Sequence, residues 1–161
     1  MDSHQSLSKQ VGQLLFDRKQ ILATAESCTG GAVATAITDI AGSSSWFDRA
    51  FVTYSNEAKV EMLGVQTQTL DQYGAVSEPV VMEMVTGAIT HSNATIAVSI
   101  SGIAGPGGAT EDKPVGTVCF AWADTNGWTK IDTVHFDGDR SSVRSQAVEY
   151  ALQTLVGYLN Q

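Results

Sequence analysis

The run Ile21-Leu22-Ala23-Thr24-Ala25 passes directly into Glu26-Ser27-Cys28-Thr29-Gly30-Gly31 and then into an alanine-rich stretch that continues to Ile40. The first segment reads as a short buried strand and the last, from Gly31, as a helix able to pack closely on a sheet. A strand, a small polar turn and a helix in immediate succession point to an α/β architecture. The two glycines permit backbone conformations closed to other residues and let a ligand approach the chain. A helix starting just after them aims free N–H groups and the positive end of its dipole into the same space. A serine placed there serves as a nucleophile, an anion ligand or a helix cap. The pattern alone leaves all three open, the cap being the commonest use.

The remaining chain supplies the other layers. Leu7, Val11, Leu14 and Leu15 share one face of a helix over 6–19. Gly42 to Ser45 is a loop, Trp46-Phe47 anchors a turn, and Phe51 to Tyr54 is the next strand. Ser55-Asn56 caps a helix that runs through Met62 until Gly64 stops it, and a shorter helix covers Thr69 to Tyr73. Ser77-Glu78-Pro79 opens a helix with Val81, Met84, Val85, Ala88 and Ile89 at helical spacing. Thr95 to Ser101 is a strand with Ile96, Val98 and Ile100 on one face and Ala97, Ser99 and Ser101 on the other. It breaks into a glycine-rich loop from Gly102 to Gly108. Thr117 to Ala123 and Thr129 to Phe136 form a hairpin around Asn126-Gly127. A final helix starts near Ser141, with Val148, Leu152, Leu155, Val156 and Leu159 inward. This order predicts one α/β domain over residues 1–161, a three-layer α/β/α fold with a mixed, mostly parallel sheet.

Composition narrows the partners. With 161 residues, 43% hydrophobic and 16% charged, the chain can bury a core and is not of disordered type. A net charge of −8 excludes the nucleic-acid backbone and an anionic membrane surface as partners, while one small phosphate stays within reach of local dipoles and a single arginine. MDSHQSLSKQ has no signal-peptide pattern, and no apolar run approaches the roughly 20 residues a membrane span needs. Cys28 and Cys119 are too few for a disulfide scaffold and show no metal spacing. The expectation is a cytoplasmic protein. Trp46, Phe47, Trp122 and Trp128 are apolar enough to support a homo-oligomer, the expected state, although core burial accounts for them equally well. Trp122 alternates with Phe120 and Val118 and reads as core.

In such sheets ligands sit beyond the carboxyl ends of strands, and three polar segments leave strands here: Ser27 to Gly31, Tyr54 to Lys59 and Ser101 to Gly108. A nucleophilic Ser27 needs a base. His4 lies in a terminal segment, His91 ends a helix and His135 sits in an edge-like strand, so a Ser-His-Asp triad is disfavoured. Lys59 is the alternative base, provided burial or a neighbouring cation lowers its pKa. Tyr54, five positions earlier, could relay a proton, donate to a developing charge or hold the amine. A surface lysine and a half-buried tyrosine are the ordinary uses of these residues. Cys28 is a second possible nucleophile, though more often small filler in such a turn; Cys119 reads as core. The Gly102–Gly108 loop matches neither a P-loop nor a dinucleotide fingerprint, yet offers backbone N–H groups to a phosphate or ring. Asp139 reads as a cap and Arg140 as an anion partner. Glu111-Asp112 and Asp137/Asp139 form no metal constellation.

Five segments, taken together, resemble the CinA carboxy-terminal family: Thr24-Ala-Glu-Ser-Cys-Thr-Gly-Gly31, Phe51-Val-Thr-Tyr-Ser-Asn-Glu-Ala-Lys59, Gly74-Ala-Val-Ser-Glu-Pro79, Ser99-Ile-Ser-Gly-Ile-Ala-Gly-Pro106 and Lys113-Pro-Val-Gly-Thr117. The resemblance covers about Leu7 to Leu159 and is nearest to the family's stand-alone nicotinamide mononucleotide deamidases. It implies an amidohydrolase acting on a linear amide, converting nicotinamide mononucleotide to nicotinate mononucleotide and ammonia in pyridine nucleotide recycling, with no metal or other cofactor. It also implies a Ser27 nucleophile with Tyr54 and Lys59 as partners. Two-domain relatives carry a nucleotide-processing domain ahead of this module, so activity is expected to reside in these residues alone. Substrate contacts are then expected from Thr29, Gly30, Gly31 and Ser55, with Ser101, Gly102, Ala104, Gly105 and Arg140 toward ribose and phosphate. The alternative is a non-catalytic mononucleotide-binding module or a regulatory partner of another enzyme.

Overall fold

A computed structural model describes residues 3–161; Met1 and Asp2, counted above in the single domain and in the signal-peptide reading, lie outside that range. The elements follow as α1 (Ser3–Asp17), β1 (Leu22–Glu26), α2 (Ala32–Thr38), a 3-10 turn (Ser43–Ser45), β2 (Phe47–Val52), α3 (Asn56–Leu63), α4 (Thr67–Tyr73), α5 (Glu78–Thr90), β3 (Ile96–Gly102), β4 (Thr117–Asp124), β5 (Thr129–His135) and α6 (Arg140–Leu159). Among the described residues one sheet forms, in the order β2-β1-β3-β4-β5. β1 pairs in parallel with both β2 and β3, whereas β4 runs antiparallel to β3 and to β5. The mixed, mostly parallel sheet and the hairpin are as the residue pattern predicts.

The two faces of the sheet differ in side-chain size. Ile96, Val98 and Ile100 join Leu22, Phe120 and Trp122 against α1, α2 and α6. On the opposite face Ala25, Ala97, Cys119, Ala121 and Ala123 lie under α5, against which α3 and α4 pack in turn. Ser99 on that face donates to the Val81 carbonyl of α5 at 2.6 Å. Helices on both faces complete the three layers. Gly87 lets α5 pass close to α3, since a Cβ there would lie 1.9 Å from the Leu63 carbonyl oxygen. No helix among the described residues is long and apolar enough to cross a membrane.

One expectation is corrected. The second strand starts at Phe47, four residues earlier than its apolar segment indicates, and ends at Val52, before Tyr54. It is an edge strand, and Asp48 and Arg49 interrupt the apolar pattern by turning to polar partners: the Asp48 carboxylate accepts from Asn93 N at 2.9 Å. Of the two accounts given for the four aromatics, association or core burial, the fold supports the second, as read for Trp122. Trp46 and Trp122 are buried, and Phe47 and Trp128 lie against the same core.

The parallel strands β1, β2 and β3 bring their carboxyl ends side by side. β1 lies between β2 and β3, and the chain leaves it for β2 on one side and β3 on the other, which makes its end a topological switch point of the kind that hosts ligand sites. β5 runs with β3, so its exit delivers the start of α6 to the same side.

Candidate active site

Ser27 follows β1 directly and keeps 8% of its surface exposed; its peptide N–H donates to Ile100 O of β3 at 3.0 Å. Lys59 stands one turn into α3. Ser55 starts that helix by accepting from Ala58 N at 3.0 Å, and Gly64 ends it in a left-handed conformation with φ 73°. The lysine points inward and is 1% exposed. Its Nζ lies 2.9 Å from Ser27 Oγ, 3.0 Å from the Thr53 carbonyl oxygen and 3.4 Å from that of Tyr54.

This environment favours the neutral amine. Desolvation lowers the Lys59 pKa from its ordinary value, opposed in part by the Cys28 thiol. No carboxylate pairs with it among the described residues. A neutral amine has two N–H groups and one lone pair. In the charged form Nζ donates to Ser27 Oγ as well as to the two carbonyls; in the neutral form the carbonyls can take both hydrogens, which leaves the lone pair for the Ser27 hydroxyl.

Cys28 is buried, and desolvation pushes its thiol up to about 11. It is a protonated filler, not a competing nucleophile. None of the three histidines bonds Ser27: His4 pairs with the Ser145 carbonyl, His135 with that of Val115, and His91 caps α5.

The turn itself is organised by Glu26, to which the sequence reading assigns no role. Its carboxylate is fully buried and accepts from Thr24 Oγ1, Thr29 Oγ1 and the peptide N–H groups of Gly31, Val33 and Ala34, at 2.7 to 3.2 Å. An anion thus neutralises the start of α2 from inside the protein. Gly30 and Gly31 take φ values of 60° and 99°, the left-handed region that favours glycine. The N–H of Gly30 bonds Ser27 O and that of Ala32 bonds Thr29 O. Among the described residues, the turn's remaining N–H groups, those of Cys28 and Thr29, donate to no other residue.

Tyr54 meets Lys59 through its carbonyl. The residue is 64% exposed, and its hydroxyl accepts from Arg140 Nη2 at 3.3 Å. Arg140, the first residue of α6, also donates from Nη1 to the Gly105 carbonyl at 3.0 Å. Asp139 caps that helix, as its position predicts. Ser101 is buried near the end of β3. Gly102 leaves no space for a side chain, since a Cβ would lie 2.7 Å from Val118 Cγ2. Ala104 lines a cleft of about 720 Å3 together with Pro106, Val115, Arg140 and Arg144, a size that suits a small-molecule ligand. A second cleft, of about 640 Å3, lies on the Thr29–Gly31 side and shares Arg144. Ser27 and Lys59 line neither cleft. Ser55 is placed as a helix cap.

Sequence reasoning therefore brings Ser27, Lys59, Tyr54 and Arg140 to one end of the sheet, but misses Glu26 and Arg144. The available signals were an acid at the end of an apolar run, and an arginine one helical turn beyond Arg140.

The family model for the CinA C-terminal domain matches residues 4–159. The chain belongs to that family. It is 62% identical over 149 residues to the nicotinamide-nucleotide amidohydrolase PncC of Escherichia coli K12, covering 92% of this chain and 90% of that one. The PncC of Enterobacter agglomerans is 55% identical over 148 residues, with the same coverage of 92% and 90%. Among solved structures, the competence/damage inducible protein CihA of Agrobacterium tumefaciens superposes with a TM-score of 0.95 at 42% identity, covering 100% of this chain and 98% of that one.

Proposed function

We propose that this protein is a nicotinamide-nucleotide amidohydrolase, hydrolysing the carboxamide of nicotinamide mononucleotide to nicotinate mononucleotide and ammonia. The observation that carries the reading is the Lys59 amine 2.9 Å from Ser27 Oγ, buried without an acidic partner among the described residues. Relatives 55% and 62% identical bear the corresponding name.

In this mechanism Ser27 Oγ attacks the carboxamide carbon while Lys59 Nζ takes its proton. The carbonyls of Thr53 and Tyr54 hold the amine in place, which is the role assigned to Tyr54. The developing oxyanion is received by the N–H groups of Cys28 and Thr29. Collapse of the tetrahedral species breaks the C–N bond, and Lys59 returns the proton to departing ammonia. Water, deprotonated by the same amine, then hydrolyses the acyl-serine and releases nicotinate mononucleotide.

The Ser101–Gly105 segment and Arg140 are assigned to ribose and phosphate, with Thr29, Gly30, Gly31 and Ser55 bordering the ring. Binding energy from the phosphate would position the amide, so plain nicotinamide is expected to be a poor substrate. The cellular role proposed is recycling of pyridine nucleotides.

The deciding experiment measures ammonia release from nicotinamide mononucleotide by purified protein and by a Ser27→Ala variant, with chelator present. Loss of turnover in the variant is the expected result. Undiminished turnover overturns the nucleophile assignment. Tight binding without turnover in the parent protein selects the non-catalytic module.

A further inference from the structure

Arg144 projects from α6 into the back of the nucleophile turn. Its Nε donates to the Cys28 carbonyl at 2.9 Å and its Nη2 to the Thr29 carbonyl at 3.2 Å. Gly30 admits the guanidinium, since a Cβ there would stand 3.2 Å from Arg144 Nη2 in addition to its left-handed φ. In a trans peptide the C=O and the following N–H point in opposite directions, and the cis bond identified in the chain lies elsewhere, at Gly105-Pro106. A guanidinium holding the Cys28 carbonyl therefore turns the Thr29 N–H away from itself. The Ser27 carbonyl, bonded by Gly30 N, sets the Cys28 N–H in the same manner. A hydrogen bond at one end of a peptide also polarises the other, strengthening the donor by roughly 10–30%.

We propose that Arg144 is a positioning residue for hydrolysis: by gripping the Cys28 and Thr29 carbonyls it orients and polarises the peptide that donates to the oxyanion. The proposal rests on the serine mechanism above. It assigns Arg144 to the transition state, whereas an arginine facing two clefts could instead bind the substrate's phosphate. The two roles separate kinetically. An oxyanion role acts on kcat, and a phosphate contact made equally in ground and transition states acts on KM.

The experiment compares Arg144→Met and Arg144→Lys with the parent enzyme. On nicotinamide mononucleotide, Arg144→Met is expected to lose about tenfold to a hundredfold in kcat with KM within about threefold, and Arg144→Lys to lose less. Pyridine-3-boronic acid carries no phosphate and adds a serine oxygen to boron as a tetrahedral anion. Its inhibition constant is expected to rise in parallel with the loss in kcat. A rise in KM with unchanged boronate affinity overturns the proposal, as does a kcat of Arg144→Met within twofold of the parent. Melting curves accompany both variants, and if Arg144→Met unfolds, the same split in Arg144→Lys decides. Ser27→Ala runs alongside. Turnover in that variant refutes the serine mechanism itself, whereas a dead Ser27→Ala beside fully active Arg144 variants refutes the Arg144 role alone.

Discussion

Lys59 Nζ lies 2.9 Å from Ser27 Oγ and 3.0 Å from the Thr53 carbonyl, a lysine enclosed by oxygens that carry no formal charge. Removing the amine while keeping its apolar length, as in Lys59→Met, is expected to lower kcat by about 10²–10⁴-fold, the usual share of a general base. Steady-state kinetics at neutral pH check this. A full rate in the variant refutes the proposed base.

The same burial has a cost in stability. The folded-state pKa of Lys59 is lowered, so between that value and the ordinary one near 10.5 the unfolded chain binds more protons than the folded protein. Stability from this group therefore rises with pH through that window and is lost as pH falls through the folded-state value. Lys59→Met should melt above the parent at neutral pH, with the gap closing as pH approaches 10.5. The kcat of the parent should rise with pH along a limb centred below that ordinary value. A variant that melts below the parent at pH 7 contradicts this account.

Tyr54 offers Lys59 a backbone carbonyl, while its hydroxyl bonds Arg140. Tyr54→Phe is thus expected to keep kcat within about fivefold, far from the 10²-fold or greater loss that removal of a proton-transfer group produces. Arg140→Met should raise KM for nicotinamide mononucleotide by about tenfold to a hundredfold, the range of a charged hydrogen bond. A collapse of kcat in Tyr54→Phe would make the phenol a proton carrier.

Glu26→Gln replaces one acceptor oxygen by an NH2 group facing donors. The carboxylate serves Thr24, Thr29, Gly31, Val33 and Ala34, and no rotation of an amide satisfies them all. Chemical denaturation should show a loss of about 2–4 kcal/mol. Unchanged stability would mean that solvent or a rearranged turn replaces the lost acceptor.

Gly87→Ala places a Cβ 1.9 Å from the Leu63 carbonyl, a backbone atom one turn beyond Lys59. Separation of α3 from α5 should cost about 1–3 kcal/mol and reduce kcat, because α3 carries the base. Stability and rate measured on one preparation test the coupling. Lost stability with intact kcat would show that α3 moves without moving Lys59.

Most of the sheet was legible because β3 announces its two faces through alternation at Ile96, Val98 and Ile100, and because Asn126-Gly127 marks a hairpin. β2 was misplaced where an edge strand needs little apolar character. Ser27 and Lys59 were legible as candidates through the turn, the cap at Ser55 and the want of a usable histidine. The supports were not. Glu26 lies beside the nucleophile, but its five donors assemble only once β1, the turn and α2 are folded together. Arg144 reaches Cys28 across 116 residues of sequence, a distance that no local pattern spans.

The unequal faces of the sheet leave the chain with two different margins for change. Under α5, the alanines at positions 25, 97, 121 and 123 are small enough that each substitution to a bulkier residue must displace a helix. On the other face, Ile96, Val98, Ile100 and Phe120 can be trimmed at the expense of a cavity, and neighbours can refill it. Inherited variation should thus enter the interior mainly through the large-residue face, in compensating pairs. The small-residue face, which seats α5 and through it α3 with its lysine, should stay close to its present form.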